Sequence, residues 1–176
     1  NKVAIFSKGD QYKHYDAAKI FNDGKSKIQD NNKVYLAKAE EEKLKKEREF
    51  AANQEKIVND MKAGMQSTPS GLYYKITKTT SGETPKAGQT VAVHYAGKLI
   101  NGDEFDNSFK RGQPIDIPIG VGQVIKGWDE GILLLKEGET ATLLIPPALG
   151  YGERGAGGVI PPNAWLVFDV ELVKIS

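Results

Sequence analysis

The chain has 176 residues, enough for one ordinary domain with an attachment, and its 24 basic and 23 acidic side chains leave a net charge of +1. That balance gives no electrostatic ground for nucleic acid or an anionic membrane surface as the main partner, and no apolar run approaches the ~20 residues of a membrane-crossing helix. Cysteine is absent, which removes disulfides, thiol nucleophiles and thiolate metal sites, and the two histidines, His14 and His94, are too scattered to suggest a zinc site.

Taken in chain order, the sequence opens at Asn1 with neither a methionine nor a secretory leader, and we read it as a processed product or a cut fragment. Within residues 1–22, "KVAIFSKG" alternates as a strand does, and "YDAAKIF" is patterned like a short amphipathic turn of helix. A lone strand is marginal without a sheet to join. Residues 1–30 therefore read as a strand-like segment and linker, the remnant of an upstream domain.

Composition changes at 66/67. All eight prolines and sixteen of the nineteen glycines lie beyond Gln66, so β structure is expected after it and helix before it. Residues 31–66 predict one long charged helix, rich in strong helix formers, with Glu41→Lys45 and Glu42→Lys46 correctly ordered as i,i+4 pairs. The apolar stripe is thin: Phe50, Ile57, Met61 and Met65 share a face, while residues 40–49 offer only Leu44. Two readings stay open, a solvated linker helix docked at its C-terminal end or a dimerising helix that pairs two copies through residues 31–66.

Residues 67–176 are punctuated strands. "GLYYKITKT" leads to a turn-rich loop, and "TVAVHYAGKLI" sets Val91, Val93 and Tyr95 against Ala92, His94 and Ala96. Asn101-Gly102 marks a hairpin in which both positions tolerate positive φ. "IDIPI" is an edge strand because of Pro118. "VIKGWDEGILLL" switches to helical period, with Ile125, Trp128, Ile132 and Leu135 on one face. "TATLLI" and "WLVFDVELVKI" complete the set, the latter turning Leu166, Phe168, Val170 and Leu172 to one side and Trp165 to the other. The fold class is α+β: a twisted antiparallel sheet wrapped on one short helix, preceded by the helical extension.

"ALGYGERGAGG" contains G-x-G-x-x-G at Gly150, Gly152 and Gly155, with Asp169 downstream, as in a dinucleotide-binding unit. That fingerprint works only when the glycines open a helix whose N-terminus meets the pyrophosphate. Here Pro146-Pro147 precede the first glycine, and Gly157, Gly158, Pro161 and Pro162 follow the third, so no helix follows. What remains is a loop with apolar tips at Tyr151 and Ile160, stiffened by proline at both ends and suited to lie over a shallow apolar groove.

"VAVHYAGKLINGDEFDNSF", "VIKGWDEGILLLKEGE", "IPPALGYGERGAG" and "IPPNAWLVFDVELV" together resemble the successive signatures of the FKBP family of peptidyl-prolyl cis–trans isomerases, in order and over about 110 residues. They look most like the bacterial branch with an N-terminal helical extension. The resemblance implies an isomerase that assists folding by rotating bonds between an apolar residue and proline in unfolded or nascent chains, with macrolides of the rapamycin type as inhibitors and no cofactor. It implies aromatic walls at Tyr95, Phe105 and Phe168, a floor at Trp128, and a rim at Val124 and Ile125, whose backbone N–H would bind a substrate carbonyl. Asp106 matches the polar group that faces the susceptible amide, Arg111 its basic partner, Tyr151 the flap hydroxyl and Ile160 the apolar flap lid. Ile115, together with Ile117, stands where eukaryotic members often have aromatics, and Ala156 where some have a flap histidine, which bears on substrate preference and inhibitor affinity. Residues 1–22 also resemble the closing strand and tail of a bacterial cyclophilin barrel, which would make the chain the back half of a cyclophilin–FKBP fusion. Lack of cysteine suits cytoplasm and periplasm equally.

Such a pocket is chemically sufficient. The X–Pro amide crosses a barrier of ~20 kcal/mol because twisting destroys resonance, yet no bond breaks, so no nucleophile, metal or proton shuttle is required. The same pocket also suits a docking or chaperone module in which turnover is incidental; the Asp106–Tyr151 combination favours activity.

Overall fold

The computed structural model describes residues 2–3 and 15–176. Most of the stretch that carries the cyclophilin-like reading lies outside the described residues. The chain divides into two compact units, Asn1–Ala51 and Ala52–Ser176.

In the first unit, β1 (Lys2–Val3) pairs antiparallel with β2 (Tyr15–Asp16), and a helix begins directly after it. That helix, α1, runs Ala17–Lys62. It starts well before residue 31 because "AAKIFNDGKSKIQD" holds no proline and only Gly24, so nothing breaks the helix. Up to Ala51 its large apolar side chains are exposed, among them Phe21 at 70% and Tyr35 at 72%. One i,i+4 ion pair on this helix is Lys43–Glu47 at 4.0 Å, with the charges in the reverse order from the Glu41→Lys45 and Glu42→Lys46 pairs that the charge pattern suggested. Among the described residues no helix is long and apolar enough to cross a membrane.

The second unit is built on a sheet of β3 (Gln66–Ser67), β4 (Tyr73–Lys78), β5 (Thr90–Leu99), β6 (Glu104–Asn107), β7 (Ile115–Pro118), β8 (Thr140–Ile145) and β9 (Leu166–Ile175). The order is β3-β4-β8-β9-β5-β6, with every pairing antiparallel, and β7 shares the β5 edge with β6. Pro118 sits at the end of β7, where its missing donor faces no further strand. Between β6 and β7 lies the single-turn helix α2 (Ser108–Arg111), and α3 (Lys126–Gly131) continues as a 3₁₀ turn, Ile132–Leu134.

Alternation decides what the sheet buries. Val91, Val93 and Tyr95 of β5 and Leu166, Phe168, Val170 and Leu172 of β9 face inward against Trp128, Ile132 and Leu135, all buried in one core. The opposite face is covered by the last turns of α1. There Val58 packs with Ile100 and Leu144, joined by Ile57, Met61, Met65, Tyr73, Trp165 and Val167. This explains why Trp165 points away from the Leu166–Phe168 face: it packs under the helix end, with Lys62 Nζ 5.0 Å from its ring centre. Phe50, expected on the same stripe, stays 38% exposed. In the β5–β6 hairpin only Gly102 takes positive φ, at 95°; Asn101 instead bonds its side chain to the Asp103 amide at 3.0 Å.

Candidate active site

Five elements of the second unit, β5, β6, β7, α3 and β9, and two loops meet around a cavity of about 330 Å³. Its aromatic wall is a set of edge-to-face rings: Tyr95 on Trp128 at 4.9 Å and 79°, Trp128 on Phe168 at 5.3 Å and 84°, and Phe105 on Phe168 at 5.5 Å and 84°. Gly97 makes this arrangement possible. A Cβ at that position of β5 would lie 2.7 Å from both the Phe105 and the Phe168 ring. Trp128 is buried, and its indole Nε1 has no hydrogen-bond partner among the described residues.

One side of the cavity is polar. Tyr95 donates its hydroxyl to Asp106 Oδ2, Arg111 donates Nη1 to Asp106 Oδ1 and Nη2 to the Tyr95 hydroxyl at 3.0 Å, and the Asn107 amide donates to Asp106 Oδ1 at 2.9 Å. The helix α2 sets this geometry. Asn107 caps it by accepting from Lys110 N at 3.2 Å, and Gly112 closes it at φ 72°, which delivers Arg111 to the carboxylate. Beneath it the buried Ser108 hydroxyl accepts from Tyr95 N at 2.7 Å and contacts His94 Nδ1 at 2.9 Å, fixing β5 to α2. The charge state follows from these contacts. Partial burial pushes Asp106 up, but hydrogen bonds from Tyr95 and Arg111 outweigh it and hold the carboxyl below its usual range. Burial first, and the Asp106 hydrogen bond second, raise Tyr95, so the phenol keeps its proton.

The rim comes from the loop that leads into α3. Asp129 reaches back and accepts from Gly120 N and Gly122 N, each at 2.8 Å, at two residues with φ of 75° and 76° that favour glycine. This holds Gln123, Val124 and Ile125 at the cavity mouth. Opposite them is the loop after β8. Tyr151 lines the cavity while 39% exposed, and Ala156 and Ile160 close the loop on themselves by backbone bonds of 2.9 and 3.0 Å. Gly155 to Gly158 lead to this closure and not to a helix, so no phosphate-binding helix start exists here.

The structure brings together Tyr95, Phe105, Asp106, Ile115, Val124, Ile125, Trp128, Tyr151 and Phe168 around the cavity. Arg111 reaches it through Asp106, and Ile160, 6% exposed, is buried in the same core cluster as Tyr95, Trp128 and Phe168 without being among the residues that line the cavity. Gln123 also lines the cavity and carries no pattern in sequence that would single it out; Ser108 and Gly97 act from behind the walls. Among the described residues no three His, Asp or Glu side chains are placed to hold a metal ion.

An antiparallel sheet wrapped on a short helix carries an aromatic pocket beside a proline-stiffened loop with a carboxylate at its edge, a concave, mostly apolar site of the kind that takes a small ligand. Residues 81–173 match the family described as FKBP-type peptidyl-prolyl cis-trans isomerase. The chain is 58% identical over 106 residues to FK506-binding protein 1 of Dictyostelium discoideum, covering 60% of this chain and 99% of that protein. It is 51% identical over 112 residues to a probable FKBP-type peptidyl-prolyl cis-trans isomerase of Haemophilus influenzae, covering 64% of this chain but only 46% of that one. The crystal structure of FkpA from Escherichia coli superposes with a TM-score of 0.67 at 37% identity, over 85% of this chain and 71% of that one. The chain belongs to the FKBP-type peptidyl-prolyl cis–trans isomerase family, and its activity is rotation of the amide bond that precedes proline.

Proposed function

We propose that this pocket rotates bonds between an apolar residue and proline in unfolded or nascent chains, with Trp128 as floor, Tyr95, Phe105 and Phe168 as walls and Val124, Ile125 and Ile115 as the rim that receives the residue before proline. The supporting observation is the ring box closed on three sides with one charged carboxylate at its edge. The apolar walls withdraw water from the planar amide, whose charge separation exceeds that of the twisted form. Asp106 and Tyr151 then favour the twisted carbonyl–nitrogen arrangement, with Ile125 N–H holding a neighbouring carbonyl, Arg111 keeping Asp106 charged and Ile160 anchoring the loop. An acceleration of about 10⁵-fold asks these groups for ~7 kcal/mol in total, within reach of several modest contributions.

Chemistry of this pocket also suits macrolides of the rapamycin type; the Dictyostelium relative is named an FK506-binding protein. The test is NMR exchange on a series of X-Pro peptides with and without such a macrolide. Leu-Pro and Phe-Pro should exchange faster than Glu-Pro, and the macrolide should abolish the difference; equal rates across the series would overturn the apolar preference.

A second reading concerns the helix. Phe21, Ile28 and Tyr35 are exposed at seven-residue spacing, with Leu36 and Leu44 also exposed on the stretch from residue 31 onward. This supports a homodimer that gives two pockets a joint grip on one client. Light scattering against concentration tests it, and a strict monomer at high concentration would refute it.

A further inference from the structure

Three polar side chains are buried in the second unit: Ser108 and Glu139, and Gln54 on the last turns of α1 at 5% exposure. Ser108 binds β5 and Glu139 binds the amides of Thr80 and Lys136, both local fastenings. Gln54 differs, because both ends of its amide are spent on one distant loop. Its Oε1 accepts from Trp165 N at 2.9 Å, and its Nε2 donates to Asn163 O at 3.0 Å.

Asn163 is the residue through which that contact reaches the pocket. Among the described residues it is the non-glycine with positive φ, at 58°, the left-handed conformation that asparagine adopts more readily than other side chains and that turns the chain sharply after Pro161-Pro162. Its own N–H donates to Gly152 O at 2.9 Å. Gly152 follows Tyr151, whose side chain lines the cavity. A helix side chain, a left-handed loop residue and the pocket loop are thus joined by consecutive hydrogen bonds.

We infer that Gln54 is a positioning residue for the isomerisation, acting through Asn163 and Gly152 to hold Tyr151 over the cavity. The inference rests on the proposed role of Tyr151 in favouring the twisted amide. Position on the helix supports it: Gln54 precedes Val58 by four residues and Met61 by seven, so the packed face of α1 presents the amide in a fixed place. A loop this rich in glycine has several conformations of similar energy, and a two-pronged amide selects one of them. The last turns of the helical extension are therefore part of the machinery of the pocket and do more than cover the sheet.

The test is a double-substitution cycle on the full chain, with Gln54→Met, Tyr151→Phe and both together, read as kcat and KM by NMR exchange. Methionine keeps the length and packing and removes both hydrogen bonds. The expected result is a loss in kcat of about threefold to tenfold, the span of one lost hydrogen bond felt at the pocket, with KM changed less than about twofold. In the Tyr151→Phe background the same substitution should add nothing further. A merely structural role would lower the unfolding temperature and leave kcat intact well below it, and that result overturns the inference. So does an equal loss of kcat in both backgrounds. Full activity in Tyr151→Phe alone identifies a failure of the site reading, whereas full activity in folded Gln54→Met beside an impaired Tyr151→Phe identifies a failure of the positioning role. Should Gln54→Met lose its dispersed amide spectrum, Gln54→Asn takes its place, keeping the amide but falling one methylene short of both partners.

Discussion

Gly97→Ala is the sharpest probe of the aromatic box. The added Cβ would lie 2.7 Å from Phe105 Cζ and from Phe168 Cε1. That is roughly 0.8 Å inside the ~3.5 Å at which carbon atoms pack best, so at least one ring must move. Phe168 has little room, being 3% exposed and wedged between Phe105 and Trp128. Phe105 is only partly buried and is the ring that gives way, opening one wall of the pocket. Overpacking of this kind costs ~1–3 kcal/mol, which in a domain of this size lowers the unfolding temperature by roughly 3–15 °C. Activity should suffer more than stability, since a wall displaced by about 1 Å no longer confines the proline ring, and kcat/KM should fall on the order of 10²-fold. Adding Phe105→Leu to make room should return much of the lost stability and little of the activity. Differential scanning calorimetry and NMR exchange read the two effects separately. If Gly97→Ala alone left both the unfolding temperature and kcat/KM unchanged, Phe105 and Phe168 could not both stand against Gly97, and the ring box would be wrong.

Other outcomes follow from the polar side and the rim. Asp106 is held below the usual carboxylate range, so its contribution to stability is complete above an unfolded-state pKa of ~3.9 and is lost as pH falls through the lower folded value. With Tyr95 raised as well, kcat/KM should be flat from about pH 5 to 9; a midpoint near neutrality would show that another group controls the rate. Asp129→Ala removes two charge-assisted bonds to the Gly120 and Gly122 amides and should cost ~1–3 kcal/mol in urea unfolding, with KM rising more than kcat falls because the Val124–Ile125 rim loosens. An unchanged KM would mean that the rim holds its place without Asp129. Arg111→Met leaves the carboxylate with Tyr95 and the Asn107 amide only; the expectation is an acid limb of the activity profile shifted upward relative to the intact chain, and no shift would contradict the role assigned to the guanidinium.

Legibility of this chain from sequence depended on whether a residue's partner is local. Strict alternation in β5 and β9 named the inward face correctly, because a strand's period of two fixes every side chain once one face is buried. The helical period around Trp128 likewise put it on the buried face with Ile132 and Leu135, while its place as a pocket floor came only from the family resemblance. The start of α1 at Ala17 was only half legible: Asp16 is a residue type that caps helices and "YDAAKIF" reads as a turn of helix, but nothing across Asn22-Asp23-Gly24 signals that this turn runs unbroken into the charged helix. Burial of Ile160 in the same core as Tyr95, Trp128 and Phe168 was not legible from periodicity, because a loop residue ahead of a proline pair has no repeat to say which way it faces. Gln54 gave no signal at all. A lone glutamine on a charged helix reads as a solvated residue, and only the fold brings residues 163 and 165 to it.

The most direct test of the account is the rate of cis–trans exchange of a Leu-Pro peptide, compared between the intact chain, Asp106→Leu and Trp128→Ala. The account predicts rapid exchange by the intact chain that a rapamycin-like macrolide blocks, with both substitutions slowing it while the amide spectra remain dispersed. No acceleration by a folded intact chain, or full acceleration by both folded variants, would contradict it.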